Sequence, residues 1–413
     1  MLLKGLLVFP LLAMIAFGLL LPSDGNHGVM SPKSLSFLAA GGSWVIFVIM
    51  QRKFSGRELR LLATCLAIVS LLLIWMGIGA IYKETPFASF FDQFKLFIIT
   101  LSVVSMVLYY VEAGVLRPET VFKCAIYTNF FYSSLKVLGA TLHVAKIVNI
   151  LTFMSKIKIR FMSMDIHAGM IRLQTSVDIV TPFLLLFVLN SDRLGIRFPR
   201  GFRYAYVVIA LVSVLLSFSR YLIAVSWISL FLYWVTTRPL KQLLAGVAAA
   251  MFLCLGVLVA GPSNVYKVVE KRLFSVDNYQ SDQTRVDQVD AMSKEIACHP
   301  FFGKGLGGFA PDCVRDNHLL HSYEVQWVAF NMQLGFVGVA LVLGSFLALG
   351  WYYWFPPYYL PKIAFAAMYA LWLVSGFTNP FLISLTSGIM YSLFALAGRV
   401  LTEENKAAKL SIR

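Results

Sequence analysis

Apolar segments separated by short polar connections make up nearly the whole of this 413-residue chain. Most are about 20 residues long, which as α-helix crosses roughly 30 Å of hydrocarbon. About twelve such segments occur, at residues 4–22, 34–50, 60–82, 95–115, 120–141, 171–190, 203–219, 221–237, 242–262, 323–348, 363–377 and 382–400. The pattern predicts an all-α, polytopic integral membrane protein whose residues 1–413 form a single transmembrane domain.

One polar segment, residues 263–322, is much longer than the other connections and lies between the ninth and tenth spans. Within it Val286, Val289, Met292 and Ile296 recur at helical spacing, which predicts an amphipathic helix. The glycine run at 303–308 should end this helix. The run is not a nucleotide phosphate loop, because it lacks a preceding strand and neither Ser nor Thr follows Lys304.

Composition agrees with a membrane protein, since 59% of the residues are hydrophobic and 13% are charged, against roughly 25% charged in soluble domains. The net charge of +15 suggests a polyanionic partner such as nucleic acid, a membrane-surface protein, or the basic cytoplasmic connections of a polytopic protein. The long apolar segments argue against the first two interpretations and favour the third.

Lysine and arginine are concentrated in alternate connections, chiefly at 51–60, at 191–203 and in the C-terminal tail. Because translocation of positive charge is disfavoured, these segments are predicted to be cytoplasmic, with the N-terminus inside and 263–322 outside. The basic segment 142–170 departs from this pattern and is predicted to be an amphipathic helix at the interface. No small-residue cleavage pattern follows Leu21, so the first span is expected to be retained.

Cysteine usage leaves two alternatives open. Cys65, Cys124 and Cys254 lie in apolar segments, where cysteine usually acts as a small hydrophobe. Cys298 and Cys313 share the polar loop. They either form a disulfide, if the loop faces an oxidising compartment, or are two free thiols.

Three arginines on the predicted outer side are candidates for binding an anion. Arg220 separates two apolar runs, where a charged side chain is costly unless it is paired or lines a polar cavity. Arg285 is predicted to open the loop helix, where a cation is slightly unfavourable, and its planar fork suits a diphosphate. Arg172, at the predicted outer start of the sixth span, is a weaker candidate, since it could equally be an interfacial anchor.

Two histidines, His318 and His321, precede the tenth span and would share a helical face, which is also a metal-ligand spacing. No cysteine or carboxylate completes a metal site, so we expect no metal and interpret His321 as a general base, with His318 as a substrate contact. A structural histidine is the competing interpretation of each. Tyr323 and Trp327, one turn apart, could stack on sugar faces, although such residues are more often interfacial.

These features together resemble the O-antigen polymerase and O-antigen ligase superfamily of polytopic bacterial glycosyltransferases. The resemblance rests on Phe218-Ser219-Arg220, Thr284-Arg285-Val286-Asp287, the stretch from His299 to Gly307, and His321 followed by Gly335-Phe336-Val337-Gly338. It covers mainly residues 203–340, whereas the first half agrees only in hydropathy. One departure is Ser322, which stands where the family often has Asn, a residue that could orient the imidazole.

The resemblance implies an inverting, metal-independent glycosyl transfer without a cofactor, at the periplasmic face of the bacterial inner membrane. The donor is a glycan on undecaprenyl diphosphate, and the acceptor is a lipid-linked repeat unit or a sugar of the lipid A core. Arg220 and Arg285 would stabilise the departing diphosphate, and His321 would take the acceptor proton. Membrane lipids and a chain-length regulator are further expected partners, and nucleic acid is not.

Sequence around Tyr323-Glu324-Val325-Gln326-Trp327 resembles polymerases more than ligases, so the polymerase is the preferred interpretation and the ligase the alternative. A transporter or flippase for the same lipid-linked sugars is a hypothesis from another class. It is less favoured, because the chain shows no half-repeat and few acidic residues within its spans, such as Glu112 and Asp178.

Overall fold

The computed structural model describes residues 2–22, 31–51, 54–82, 85–150, 152, 162–167, 170–237, 276–316, 319–354 and 360–411. In this part of the chain the fold is α-helical apart from one β-hairpin. The helices are α1 (Leu2–Leu20), α2 (Pro32–Met50), α3 (Gly56–Tyr82), α4 (Phe87–Glu112), α5 (Pro118–Val144), α6 (Thr181–Leu189), α7 (Arg200–Ser217), α8 (Arg220–Thr237), α9 (Val276–Cys298), α10 (Gln326–Trp354), α11 (Leu360–Val374) and α12 (Leu385–Ser411).

Seven helices of the described residues are long and apolar enough to cross a membrane: α2, α3, α4, α7, α10, α11 and α12. Two shorter apolar helices lie at Leu6–Leu20 and Ser176–Leu189. These helices confirm the all-α polytopic membrane fold. The predicted ninth span, 242–262, lies outside the described residues, so the total of about twelve spans stays a prediction.

Helices α4 and α12 form the centre of the bundle, because they pack on each other and each carries more buried apolar side chains than any other helix. Helix α1 packs on α2, α5 and α12, and α10 packs on α12 and on the loop helix α9. Close approach is possible where side chains are small. Gly388 of α12, for example, lies against Val103 and the backbone carbonyl of Thr100 in α4.

The structure corrects the end of the helix predicted at 142–170 and the start of the span predicted at 171–190, whereas residues 153–161 lie outside the described part of the chain. Strand β1 (Met162–His167) pairs antiparallel with β2 (Met170–Gln174), and a 3₁₀ turn (Ser176–Val180) leads into the nine-residue helix α6. In β1 apolar and polar residues alternate, which is the period of a strand.

Segments predicted to face the cytoplasm meet at one end of the bundle. Glu112, at the end of α4, accepts from Arg399 of α12 (3.0 Å) and lies 3.7 Å from Arg57, just inside the start of α3. Lys362, at the start of α11, donates to Thr402 of α12 (2.9 Å). We call this the basic end. The glycine run, His321 and Arg220 lie toward the opposite end.

Candidate functional site

The glycine run at 303–308, here called the glycine loop, inserts between the ends of α3, α4 and α10. Leu306 N–H donates to the carbonyl of Trp75 in α3 (3.1 Å), and Lys304 N–H donates to that of Met332 in α10 (2.9 Å). Each contact joins segments far apart in sequence. The loop therefore binds the backbones of α3 and α10 directly.

Two glycines of this loop are required by its close packing. Gly305 (φ +90°) lies on the backbone of Gly79, and Gly307 (φ +78°) lies on the backbone of Phe90, so that a Cβ at either position would overlap main-chain atoms. Left-handed dihedral angles also disfavour any residue with a side chain there. The glycine loop thus allows close packing against helices and is not a phosphate loop.

Helix α10 is interrupted at Gly335, whose dihedral angles (φ 64°, ψ −179°) are not helical. The interruption leaves backbone groups without helical partners, which is tolerated at membrane depth only where protein satisfies them. Phe336 and Val337 N–H groups donate to the carbonyls of Pro300 (2.9 Å) and Phe301 (3.1 Å). The prediction of one continuous helix over 323–348 is corrected accordingly.

His321 lies under the glycine loop in a buried polar cluster and is only 6% exposed. Its Nδ1 lies 3.5 Å from Oγ of Ser89, which donates to the carbonyl of Gly307 (2.8 Å). Its backbone carbonyl accepts from Gln333 of α10 (3.2 Å). Side chain and backbone of His321 are therefore both held by distant parts of the fold.

Burial lowers the pKa of His321 to about 4, because the charged imidazolium loses its hydration. Of the neighbouring charges on α4, Asp92 raises this pKa and Lys95 lowers it. The imidazole is consequently neutral at pH 7 and able to accept a proton, as a general base must be.

Arg285 lies in the interior of α9, because this helix begins at Val276 and not at the arginine. The unfavourable interaction of a cation with a helix N-terminus, which the sequence predicted, is therefore absent. Arg285 Nε instead donates to a carboxylate oxygen of Glu324 (2.9 Å), and Arg315 approaches the other oxygen (3.5 Å). The guanidinium is thus joined to the short loop that carries His321.

Arg220 is the first residue of α8 and is exposed, as the predicted outer turn requires. The turn includes Phe218 in a left-handed conformation (φ +47°). Next to Arg220, the hydroxyl of Tyr221 donates to the carbonyl of Leu371 (2.7 Å) at the end of α11. The turn therefore lies at the end of the bundle opposite the basic end.

Arg172 lies on strand β2 rather than at the start of a helix, and its Nε donates to the carbonyl of Ser217 (3.2 Å). The Ser217 hydroxyl in turn accepts from Lys136 (2.7 Å), which forms a buried ion pair with Asp178 (2.7 Å). The hairpin therefore brings Arg172 close to the turn of Arg220. This buried pair was not among the predicted site residues, although a lone lysine in an apolar span is a recognisable signal.

Tyr323 and Trp327 are buried and serve packing roles. The Tyr323 hydroxyl accepts from the N–H of Ala310 (2.8 Å), and Trp327 Nε1 donates to the carbonyl of Leu373 (2.8 Å). Rings enclosed by protein are not available to stack on a sugar, so we remove both from the candidate substrate contacts. His318 lies outside the described residues.

The loop helix has the predicted character, because Met292 is fully buried and Val289 and Ile296 pack beside it against the start of α10. Val286 is about half exposed and lies outside this apolar face. Cys298 and Cys313, for which the sequence left two alternatives, are both free thiols.

The fold and the site together define a polytopic membrane protein with buried polar residues and arginines gathered opposite its basic end. Residues 205–343 match the family model described as O-antigen ligase, about a third of the chain, and this region includes Arg220, Arg285 and His321. The match confirms the resemblance to the O-antigen polymerase and ligase superfamily. No curated protein matches the chain significantly.

Proposed function

We propose that this protein is an inverting membrane glycosyltransferase that polymerises undecaprenyl-diphosphate-linked repeat units of a surface polysaccharide at the periplasmic face of the bacterial inner membrane. The observation that carries the proposal is the O-antigen ligase match over 205–343, which includes all three candidate catalytic residues. Their placement supports it, because Arg285 and His321 are joined through one short loop and Arg220 begins a helix at the same end of the bundle.

The proposed reaction breaks the bond between the anomeric carbon and the diphosphate oxygen, and the bond electrons leave with the diphosphate. Arg220, supported by Arg172 at the same turn, binds this developing charge. The acceptor hydroxyl oxygen forms the new bond to the anomeric carbon from the opposite face, and its proton passes to His321. Because fixed arginines supply the positive charge, the proposal needs neither metal nor cofactor.

Before the donor binds, Arg285 is paired with Glu324, and the Arg285 side chain is 32% exposed. A diphosphate that approaches it must share or replace the carboxylate. A carboxylate and a phosphate group each offer two anionic oxygens that can accept hydrogen bonds from the guanidinium fork, so one can replace the other. We propose that Glu324 holds Arg285 in position until the donor binds.

The second candidate is an O-antigen ligase that transfers the finished polysaccharide to lipid A core, and the description of the matched family favours it. Both reactions use the same lipid-diphosphate donor, so Arg220, Arg285 and His321 would act alike in each. The acceptor distinguishes the two.

Deletion of the gene, followed by electrophoresis of the surface polysaccharide, tests the proposal. A single repeat unit attached to lipid A core is the expected result for a polymerase. Core without any repeat unit, together with accumulated lipid-linked polymer, would establish the ligase instead. An unchanged polysaccharide pattern, with the deletion confirmed, would contradict both.

A further inference from the structure

Two buried amides beside His321 have a single hydrogen-bonding orientation. Gly307 N–H donates to Gln93 Oε1 (2.5 Å), which leaves the amide nitrogen of Gln93 to donate to Gln333 Oε1 (2.6 Å). The nitrogen of Gln333 then donates to the carbonyls of Gly308 (2.9 Å) and His321 (3.2 Å). Because a backbone N–H only donates and a carbonyl only accepts, neither amide can be reversed.

The same reasoning fixes the hydroxyl of Ser89. This hydroxyl has one hydrogen, which it donates to the carbonyl of Gly307 at 2.8 Å. Towards His321 Nδ1, at 3.5 Å, Ser89 can therefore act only as an acceptor. A neutral imidazole carries one N–H, and this geometry places it on Nδ1.

We propose that Ser89 is a positioning residue that holds His321 in the Nδ1–H tautomer, so that Nε2 is the atom that accepts the proton of the acceptor hydroxyl. The inference rests on the proposed function, in which His321 is the base. When Nε2 takes the proton, both ring nitrogens carry hydrogen and Ser89 still accepts from Nδ1. The imidazolium formed during transfer thus keeps its hydrogen-bond partner.

The local fold keeps Ser89 in this position. Ser89 and Gln93 are one helical turn apart on α4, and together they bind the N–H and the carbonyl of Gly307. Gly307 cannot be replaced by a residue with a Cβ, because its backbone lies against Phe90. The glycine loop therefore fixes the hydroxyl that orients the imidazole.

Besides Ser89, four charged or polar groups lie on the segments packed around His321. Asp92 and Lys95 act on it from α4 with opposite sign, and Gln333 of α10 is an uncharged amide. Glu324 follows three residues later in the same loop and is held by Arg285. The effects of Asp92 and Lys95 on the pKa of His321 partly cancel. Loss of the Ser89 hydrogen bond should therefore be visible in the pH profile of transfer.

Kinetics of purified, membrane-reconstituted enzyme with a lipid-diphosphate-linked donor test the role. Ser89→Ala should lower kcat by about 10–100-fold, part of the contribution of a general base, and leave KM within about twofold. It should also shift the acid limb of the pH profile. Ser89→Thr keeps the hydroxyl and should restore most of kcat.

Thr100→Val is the matched control, because the Thr100 hydroxyl also lies on α4 and contacts backbone carbonyls, those of Leu96 (2.8 Å) and the distant Ser384 (3.1 Å). This control should keep wild-type kcat. Equal losses in Ser89→Ala and Thr100→Val, or full activity in Ser89→Ala, would overturn the positioning role.

Nitrogen-15 NMR of histidine-labelled protein in nanodiscs tests the tautomer without any turnover, with the His321 signals assigned from His321→Gln. Wild-type protein should show a protonated Nδ1 and an unprotonated Nε2, and Ser89→Ala should lose this preference. An Nε2–H tautomer in the wild type, or an unchanged tautomer in Ser89→Ala, would overturn the inference. The expected tautomer in a protein without transferase activity would refute the proposed function alone.

Discussion

His321 can act as a base only while its imidazole is neutral, and its burial ensures this over a wide range of pH. A solvated histidine titrates near pH 6.5, whereas the buried environment of His321 lowers its pKa to about 4. A lower pKa also makes the imidazole a weaker base. In the proposed reaction, much of the rate enhancement is therefore expected from arginines that stabilise the leaving diphosphate.

The pH dependence of transfer follows from this pKa. Below its pKa the imidazole is protonated and cannot accept a proton, and above it the base is competent. Activity of the wild-type enzyme should stay level as the pH falls from 7 to about 5 and decline as it approaches about 4. Initial rates across this range, with folding monitored by tryptophan fluorescence, provide the measurement. An acid limb centred near pH 6.5 in folded protein would contradict the burial of the base.

Replacement of Arg220 by lysine separates charge from geometry. Lysine keeps the positive charge but loses the planar fork that binds two phosphate oxygens. Arg220→Lys should lower transfer by roughly 10–100-fold with normal membrane insertion, the scale of about one hydrogen bond to a charged group. Measurement of initial rates in reconstituted vesicles tests this.

The matched control is Arg203→Lys at the basic end, where Arg203 pairs with Asp192 through two hydrogen bonds (2.5 and 2.6 Å). Full activity is expected of this control. If Arg220→Lys were as active as wild type, Arg220 would act as a point charge and not as a fork.

At the scale of elements, hydropathy predicted the long helices because an apolar segment in a membrane has few alternatives to a helix. It failed at the β-hairpin, where Met162, Met164 and Ile166 alternate with polar residues and indicate a strand. It also failed at Gly335, since the partners that satisfy the broken helix lie in the glycine loop. Local sequence cannot reveal which distant backbone a glycine approaches.

The candidate site, like the secondary structure, could be predicted only in part. Arg220 and His321 could be selected as candidates because charged or titratable residues beside apolar spans are unusual. Ser89 gave no such signal, because a serine near a helix start is common and its importance comes from the position of Gly307. Residues that act through another residue are recognised only once the fold is known.

The buried pair of Lys136 and Asp178 connects α5, the 3₁₀ turn and the end of α7, and its loss should destabilise all three. Lys136→Met leaves the Asp178 carboxylate buried without its cation, at a cost of about 3–5 kcal/mol. Adding Asp178→Asn removes that charge and keeps an oxygen for the N–H of Thr175, so the double variant should recover most of the stability.

Thermal unfolding in detergent, followed by tryptophan fluorescence, measures this difference. The single variant should unfold several degrees below the double variant. Transfer by the single variant should also fall, because Lys136 holds Ser217 next to the turn of Arg220. A single variant as stable as the double would show that the pair carries no buried charge.

At the scale of the whole molecule, the basic end and the site lie at opposite ends, which agrees with the predicted orientation. Cys298 is an exposed free thiol in the loop helix and provides a natural probe. In a variant without the other four cysteines, a membrane-impermeant maleimide should label Cys298 from outside the inner membrane. The reagent should reach Arg57→Cys, at the basic end, only after permeabilisation. The reverse pattern would overturn the proposed periplasmic site.

The indole of Trp75 implies an order of assembly during synthesis. Its Nε1 donates to the carbonyls of Phe302 (3.0 Å) and Leu334 (2.8 Å), which lie 227 and 259 residues further along the chain. At about 5–20 residues per second, the ribosome makes Leu334 roughly 10–50 s after Trp75. Helix α3 is therefore made well before the two backbone carbonyls that its indole N–H binds. The packing of the N-terminal helices is thus completed only after residues 302–334 have been made.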